Sequence, residues 1–295
     1  MHSSAAPSGE VGRAALWMLG AITSFSVMAV AGRSLSATHD TFEIMMFRSL
    51  IGIGIVVGVA GAAGTLHQIN RTHLRTHAAR NVFHFTGQNL WFYAVAVAPL
   101  AQVIALEFTS PLWVTVLAPL FLGEKLTLKR GLAAIIGFGG VLLVAQPQAS
   151  GFSAGLAAAA GSAICFAITA IFTKALTRTE TITSILFWLT LIQAIFGVIA
   201  VGIDGQVTWP TLHTAPWLLA VAVAGLTAHF CLTSALRIAP AVIVMPMDFL
   251  RLPALALVGL AFYQEPLTWA IVGGSVLILT GNFINLGVFS ARKLK

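Results

Sequence analysis

Charge is what this sequence has least of. Only 8% of its 295 residues are Asp, Glu, Lys or Arg, against about 25% in an average soluble domain. A chain of this length with so few charges cannot clothe a water-facing surface. The 58% of hydrophobic residues fall in long runs, so lipid is the expected solvent. Cysteine is nearly absent: Cys165 and Cys231 both sit inside apolar runs, which excludes a disulfide framework and reads as buried small hydrophobes. Acidic residues number nine, most of them near the ends of runs. No His-Glu-x-x-His, Gly-x-Ser-x-Gly or phosphate-loop pattern occurs, which argues against a membrane enzyme with a convergent catalytic set. The net charge of +7 lies in short breaks between apolar runs. That is not the basic surface a nucleic acid needs.

What is present is a series of apolar runs, each close to the roughly 20 residues that cross a bilayer. The expected spans are 14–35, 41–62, 78–98, 100–122 and 128–146, then 152–176, 182–203, 214–236, 240–262 and 267–289. The first run is read as a retained helix, not a cleaved leader. Residues 1–13 and 290–295 read as tails, the first 12 residues as disordered, and 64–77 as the longest loop.

Sliding the sequence on itself by 141 residues aligns it without a gap. Gly20 meets Gly161, Phe25 meets Phe166, and Arg33 meets Lys174. Ala98-Pro99 meets Ala239-Pro240, Glu107-Phe108 meets Asp248-Phe249, and Leu126-Thr127 meets Leu267-Thr268. Apolar matches arise easily by chance, but acidic, proline and Leu-Thr pairs at one offset do not. The chain is therefore read as a tandem duplication, with halves 14–146 and 147–289. Five spans per half is odd, so the second copy starts on the opposite side of the membrane. The expected fold is all-α and integral to the membrane: about ten transmembrane helices forming two inverted five-helix repeats, the architecture of secondary transporters.

Orientation follows from the basic residues. With a cytoplasmic N-terminus most of the 16 fall inside, among them Arg71, Arg75 and Arg80 of the long loop, Lys125, Lys129, Arg130, Lys174, Arg178 and Arg237. The positive-inside rule then places both termini in the cytoplasm. Arg33 ends the first span on the outside, while Arg48 and Arg251 lie within spans.

Several motifs resemble the EamA-type branch of the drug/metabolite transporter superfamily over residues 14–289. They are Pro99-Leu100-Ala101, Phe108-Thr109-Ser110-Pro111-Leu112, and the hairpin Leu122-Gly123-Glu124-Lys125-Leu126-Thr127. The second copy answers with Pro246-Met247-Asp248-Phe249-Leu250-Arg251-Leu252-Pro253 and Gln264-Glu265-Pro266-Leu267-Thr268. Gln264 stands where the common Gly-Glu pair has glycine. The resemblance implies ten helices, both termini inside, alternating access in the inner membrane, and a central cavity between the halves. It also implies a small-molecule substrate: members export amino acids or import metabolites such as S-adenosylmethionine and riboflavin.

Ionisable groups within spans are costly and usually face protein or water. Glu107, Asp248 and Arg251 are the candidates. The two carboxylates are repeat equivalents and read as a substrate or proton site, with a proton as candidate coupling ion. Asp248 and Arg251, three residues apart on one helix, can alternatively neutralise each other as a structural pair. Arg48 is expected to snorkel near the outer interface, with substrate contact the lesser alternative. In the third span Asn81, His84, Phe85, Gln88, Asn89 and Phe92 fall on one helical side. That side is either a hydrogen-bonding cavity wall, with Phe85 and Phe92 stacking on a planar solute, or helix–helix glue. His229 is the repeat partner of Gln88 and extends this wall to the eighth span. Trp91, Tyr93 and Trp113 can equally be interfacial anchors. His67, His73 and His77 have no carboxylate or cysteine beside them, so no metal is expected, and no cofactor. Glu124 and Glu265 are expected to cap the hairpin helices. Prolines 99, 111, 119, 240, 246 and 253 are expected to break backbone bonds in the fourth and ninth spans. Uptake of a planar, polar heteroaromatic such as riboflavin is the first substrate expected; a channel fits inverted repeats less well.

The orientation is directly testable. A cysteine placed at Arg71 and a reporter fused after Lys295 should both be reachable only from the cytoplasm; labelling of position 71 by an impermeant reagent in intact cells would reverse the topology.

Overall fold

A computed structural model describes residues 8–123, 127–145, 153–264 and 266–286. The first half contains α1 (Ser8–Leu35), α2 (Thr41–Ala62), α3 (Leu74–Val97), α4 (Leu100–Glu107), α5 (Ser110–Leu122) and α6 (Leu128–Ala145). The second contains α7 (Ala154–Leu176), α8 (Ile182–Asp204), α9 (Ala215–Ile238), α10 (Ala241–Met247), α11 (Arg251–Tyr263) and α12 (Trp269–Leu286). Among the described residues there is no strand.

A helix occurs at each of the ten expected positions, but they are not equally suited to lipid. Among the described residues, six helices have the length and hydropathy to cross a membrane, or up to seven if the bent pair around Gln102–Leu122 is one span. The chain is thus an all-helical, multi-pass membrane protein. The 24-residue α3 is long enough and fails on hydropathy, because Arg80, Asn81, His84, Gln88 and Asn89 lie along it; all five are buried against protein. Helix α1 starts at Ser8 and α3 at Leu74, so the expected tail and loop are both shorter than the sequence suggested. Loop 64–77 also holds a 3-10 turn at Leu66–Gln68.

Two interruptions shape the fold. Pro99 follows Ala98, whose extended backbone (φ −132°, ψ 158°) ends α3; Ala239 before Pro240 repeats this geometry (φ −136°, ψ 156°). Proline clashes with a helical preceding residue, which forces the break. A second break splits the fourth span at Phe108–Thr109, where Pro111 has no N–H to give the Glu107 carbonyl. In the second half a 3-10 turn, Asp248–Leu250, separates α10 from α11. Glu107 and Asp248 therefore both sit at helix breaks.

The packing exchanges the halves. Helix α1 lies on α9 and α7 on α3, so the first helix of each half meets the third helix of the other; α2 pairs with α8 and α6 with α12. Close contacts repeat at the 141-residue offset. A Cβ on Gly140 would lie 2.5 Å from the Gly274 carbonyl oxygen, and one on Gly281, its repeat partner, 2.6 Å from that of Ala133. These two glycines let α6 and α12 touch backbone to backbone, as helix packing in lipid favours. Both self-paired helices run antiparallel: Gly52 meets Thr190 while Gly197 meets Met46, and the Gly140 and Gly281 contacts cross in the same sense. Arg33 Nη2 donates to the Ala98 carbonyl at 2.9 Å, and Lys174 Nζ to those of Ala239 and Leu236 at 2.8 and 2.6 Å. A cation thus holds the frayed C-terminus of the third helix in each half.

Helix α5 ends on Gly123 (φ 67°) and α11 on its repeat partner Gln264 (φ 55°). The left-handed conformation costs a side-chain-bearing residue about 1–2 kcal/mol, so the position favours glycine and Gln264 is strained. Gln264→Gly should raise the melting temperature, by about 2–4 °C if 1 kcal/mol is recovered; an unchanged or lower Tm would deny the strain.

Candidate functional site

The helix breaks bring the two repeat-related carboxylates together. Arg251, at the start of α11, donates from Nη2 to Glu107 Oε1 and, at 2.7 Å, to Asp248 Oδ2. Trp91 Nε1 donates to the other Glu107 oxygen at 2.7 Å. Phe108 and Phe249, the neighbours of the carboxylates and equivalents themselves, meet edge to face at 5.4 Å. Phe25 and Phe108 lie 5.0 and 5.4 Å beneath the guanidinium, adding cation–π attraction in a desolvated place. Asp248 Oδ1 and Arg251 Nε are left without a partner. Asp248 and Arg251 do neutralise each other, but Glu107 of the opposite half shares the same cation.

This triad forms one wall of a cavity of about 70 Å³. Of the nine residues singled out in the sequence, Glu107, His84, Gln88, His229, Asp248 and Arg251 line it. Phe85, Asn89 and Phe92 do not. Phe85 stacks on Phe42 at 6.4 Å and meets Phe196 edge-on at 5.7 Å. Asn89 Nδ2 turns back to the Phe85 carbonyl. Phe92 is buried beside Trp91, against Gly32 of α1. The apparent single face of α3 is two faces: positions 80, 84, 88 and 91 point to the cavity, while 85, 89 and 92 pack elsewhere. Asn81 is interhelical glue, accepting from Gln193 Nε2 at 2.9 Å and donating to the Trp188 carbonyl.

The aromatic walls therefore differ from those expected. They are Phe25, Trp91, Phe108 and Phe166. Trp91 is 1% exposed, a ligand of Glu107 and not an interfacial anchor; Tyr93 and Trp113 are exposed. The identity Phe25–Phe166 at the repeat offset was the sequence sign that these rings face a shared centre.

Two arginines depart from their expected places. Arg48 does not snorkel: it is 7% exposed and donates from Nη1 to Gln88 Oε1 at 3.1 Å. Arg80 is not a loop cation but is 1% exposed, its Nε donating to Thr173 Oγ1 at 2.6 Å. Each long side chain needs neighbours to decide whether it reaches out or in. Between them, the rings of His84 and His229 meet edge to face at 4.7 Å. Among the described residues, no group of three His, Cys, Asp or Glu is placed to hold a metal. Glu124 and Glu265 lie outside the described residues.

The EamA-like transporter family matches residues 12–146 and again 153–287. The chain is 30% identical over 278 residues to a riboflavin transporter of Rhizobium johnstonii, covering 92% of this chain and 90% of that one. It is 24% identical over 263 residues to an S-adenosylmethionine uptake transporter of Rickettsia bellii, covering 89% of each. A crystal structure at 18% identity superposes with a TM-score of 0.72 over 96% of this chain and 98% of that one, a likeness of fold alone.

Glu107→Gln keeps an oxygen for Trp91 and leaves Asp248 to pair with Arg251, so folded protein should persist in the membrane. Transport should fall about tenfold or more, the scale of one charge-assisted hydrogen bond, and any proton dependence should weaken. Unaltered transport across pH would reduce Glu107 to a structural residue.

Proposed function

The chain belongs to the EamA-like transporter family, and from that premise we propose that it is a secondary transporter carrying a small organic metabolite across the inner membrane by alternating access. Ten spans form two inverted halves, 14–146 and 147–289, with both termini cytoplasmic. The observation that carries this reading is the exchange-related packing. Antiparallel α2/α8 and α6/α12, with α1 on α9 and α7 on α3, are what a two-fold axis lying in the membrane plane would produce. Such an axis makes the outward-open and inward-open states near mirror images, hence close in energy. The paired carboxylates lie where the halves meet, on the cavity that both would expose in turn.

The described conformation is a closed one. About 70 Å³ is well below the roughly 300–1,000 Å³ of sites that take organic ligands. A solute would enter when the halves rock apart, and the Glu107–Arg251 bond between them is the contact that rocking would loosen. Aromatic walls with amide, imidazole and carboxylate groups suit a planar, polar heteroaromatic. Riboflavin is the first candidate and S-adenosylmethionine the second, both as uptake, in keeping with the named relatives; export of amino acids or related metabolites is the alternative. Protons are the candidate coupling ion. Catalysis forms no part of the reading, since the named relatives are transporters.

Complementation tests it. Expressed in a bacterium unable to make riboflavin, the chain should lower the external riboflavin needed for growth, and Trp91→Ala or Gln88→Ala at equal expression should abolish the rescue. No rescue, with the protein confirmed in the membrane, removes riboflavin; the same assay with an S-adenosylmethionine auxotroph tests the second candidate.

A further inference from the structure

Taking the cavity as the transport site, we infer that its α2–α3–α9 end binds an anionic group of the solute, a carboxylate or a phosphate, through Arg80 and Arg48. Several cations among the described residues have evident partners. Arg33, Lys174 and Arg178 hold backbone carbonyls at helix ends, and Arg251 holds two carboxylates. Arg48 and Arg80 do neither. Among the described residues, their hydrogen-bond partners are the neutral Gln88, Met45 and Thr173 side chains, and neither forms an ion pair.

A guanidinium keeps its charge when buried, and an unpaired buried charge is costly. Arg80 lines the main cavity and Arg48 its neighbour, and neither has a hydrogen-bonded counter-charge among the described residues, a role an anionic ligand would fill. The geometry supports a ligand more specifically than a field. Arg80, His84 and Gln88 are spaced i, i+4, i+8, one above another on α3, and all line the cavity. Arg80 Nη1, both ring nitrogens of His84 and Nε2 of His229 are buried with no hydrogen-bond partner. Arg48 approaches from α2 and lines a smaller adjoining cavity of about 20 Å³, which shares His229 with the first. Unpartnered donors from α3 and α9 thus face the main cavity, with Arg48 of α2 in the cavity that adjoins it at His229. The main cavity is roomy enough for a carboxylate or phosphate, while the rest of a solute needs the bundle to open. The opposite end carries Glu107 and Asp248 on a single arginine. The site thus has two unlike ends, an anion-binding one facing an acidic, aromatic one. Riboflavin has no carboxylate or phosphate, whereas its 5′-phosphate and S-adenosylmethionine do, so the inference reverses the order of the two candidates and puts S-adenosylmethionine ahead.

The first arm of the test needs no knowledge of the solute. Thermal unfolding of the full chain in phosphatidylcholine nanodiscs is followed with inorganic phosphate or acetate titrated against chloride at fixed ionic strength. Tm should rise saturably, by about 4 °C or more at high occupancy; Arg80→Gln and Arg48→Gln should each lose the rise, and Arg80→Lys should keep part of it. Whichever of the two anions acts at lower concentration identifies phosphate or carboxylate as the preferred group. No saturable rise in the wild type overturns the proposal whether or not the variants fold. A rise of equal size in both glutamine variants overturns it as well, leaving an adventitious ion only. The second arm compares riboflavin with its 5′-phosphate, and S-adenosylmethionine with its decarboxylated form. The member of at least one pair that bears the carboxylate or phosphate should bind about tenfold tighter or more, with the preference lost in Arg80→Gln. Members lacking that group binding as tightly as those that bear it overturns the proposal and leaves the transport reading standing. Stabilisation by simple anions with none of the four solutes bound does the reverse: the anion site stands, and the heteroaromatic substrate reading falls.

Discussion

One arginine holds the centre of this protein together. Arg251 reaches Asp248 in its own half and Glu107 in the other, and all three sit where lipid-crossing helices are interrupted. A buried charge is tolerable only when paired and hydrogen-bonded. Two carboxylates brought together by the repeat therefore need a cation between them. The repeat supplies Glu107 and Asp248 as equals, and the departure from symmetry, Arg251 where the first half has Ser110, supplies the cation. The breaks at Phe108–Thr109 and Asp248–Leu250 are the backbone side of the same arrangement. They turn the ends of α4 and α10 inward, where protein and cavity satisfy what the helix no longer does.

The same constraint explains α3. Its polar residues make it too hydrophilic to pass as a lipid-facing span, and the fold buries them. Asn81 ties α3 to α8 through Gln193, Arg80 ties it to α7 through Thr173, and Gln88 ties it to α2 through Arg48. In lipid such bonds hold helices together without a hydrophobic driving force. They also leave nitrogens of Arg80, His84 and His229 without partners. Part of the donors on α3 thus face the cavity.

Much of the architecture was legible in the sequence, because lipid imposes it. Low charge and apolar runs determined helices and membrane. The 141-residue offset was read as two halves, and individual contacts repeat at that offset. Ala-Pro and the Phe108–Pro111 segment determined where helices stop, since proline acts on its own neighbours whatever the tertiary context. The equivalence of Glu107 and Asp248, and of Phe25 and Phe166, was also there to be read.

Only the tertiary structure decided which side of a helix faces what. Positions 84 and 88 and positions 85, 89 and 92 lie within one broad polar arc of α3, and a few tens of degrees of rotation separates cavity from packing. Helical periodicity cannot resolve that, because rotation is set by the partners α1, α2, α7 and α8. Arg48 and Arg80 show the same limit for long side chains: a guanidinium on a flexible stem can reach water, a helix end or an interior, and its sequence position is compatible with each. The packing of α2 on α8 and α3 on α7 closed the outward routes, and so turned two expected surface cations into the charged lining of the protein's centre.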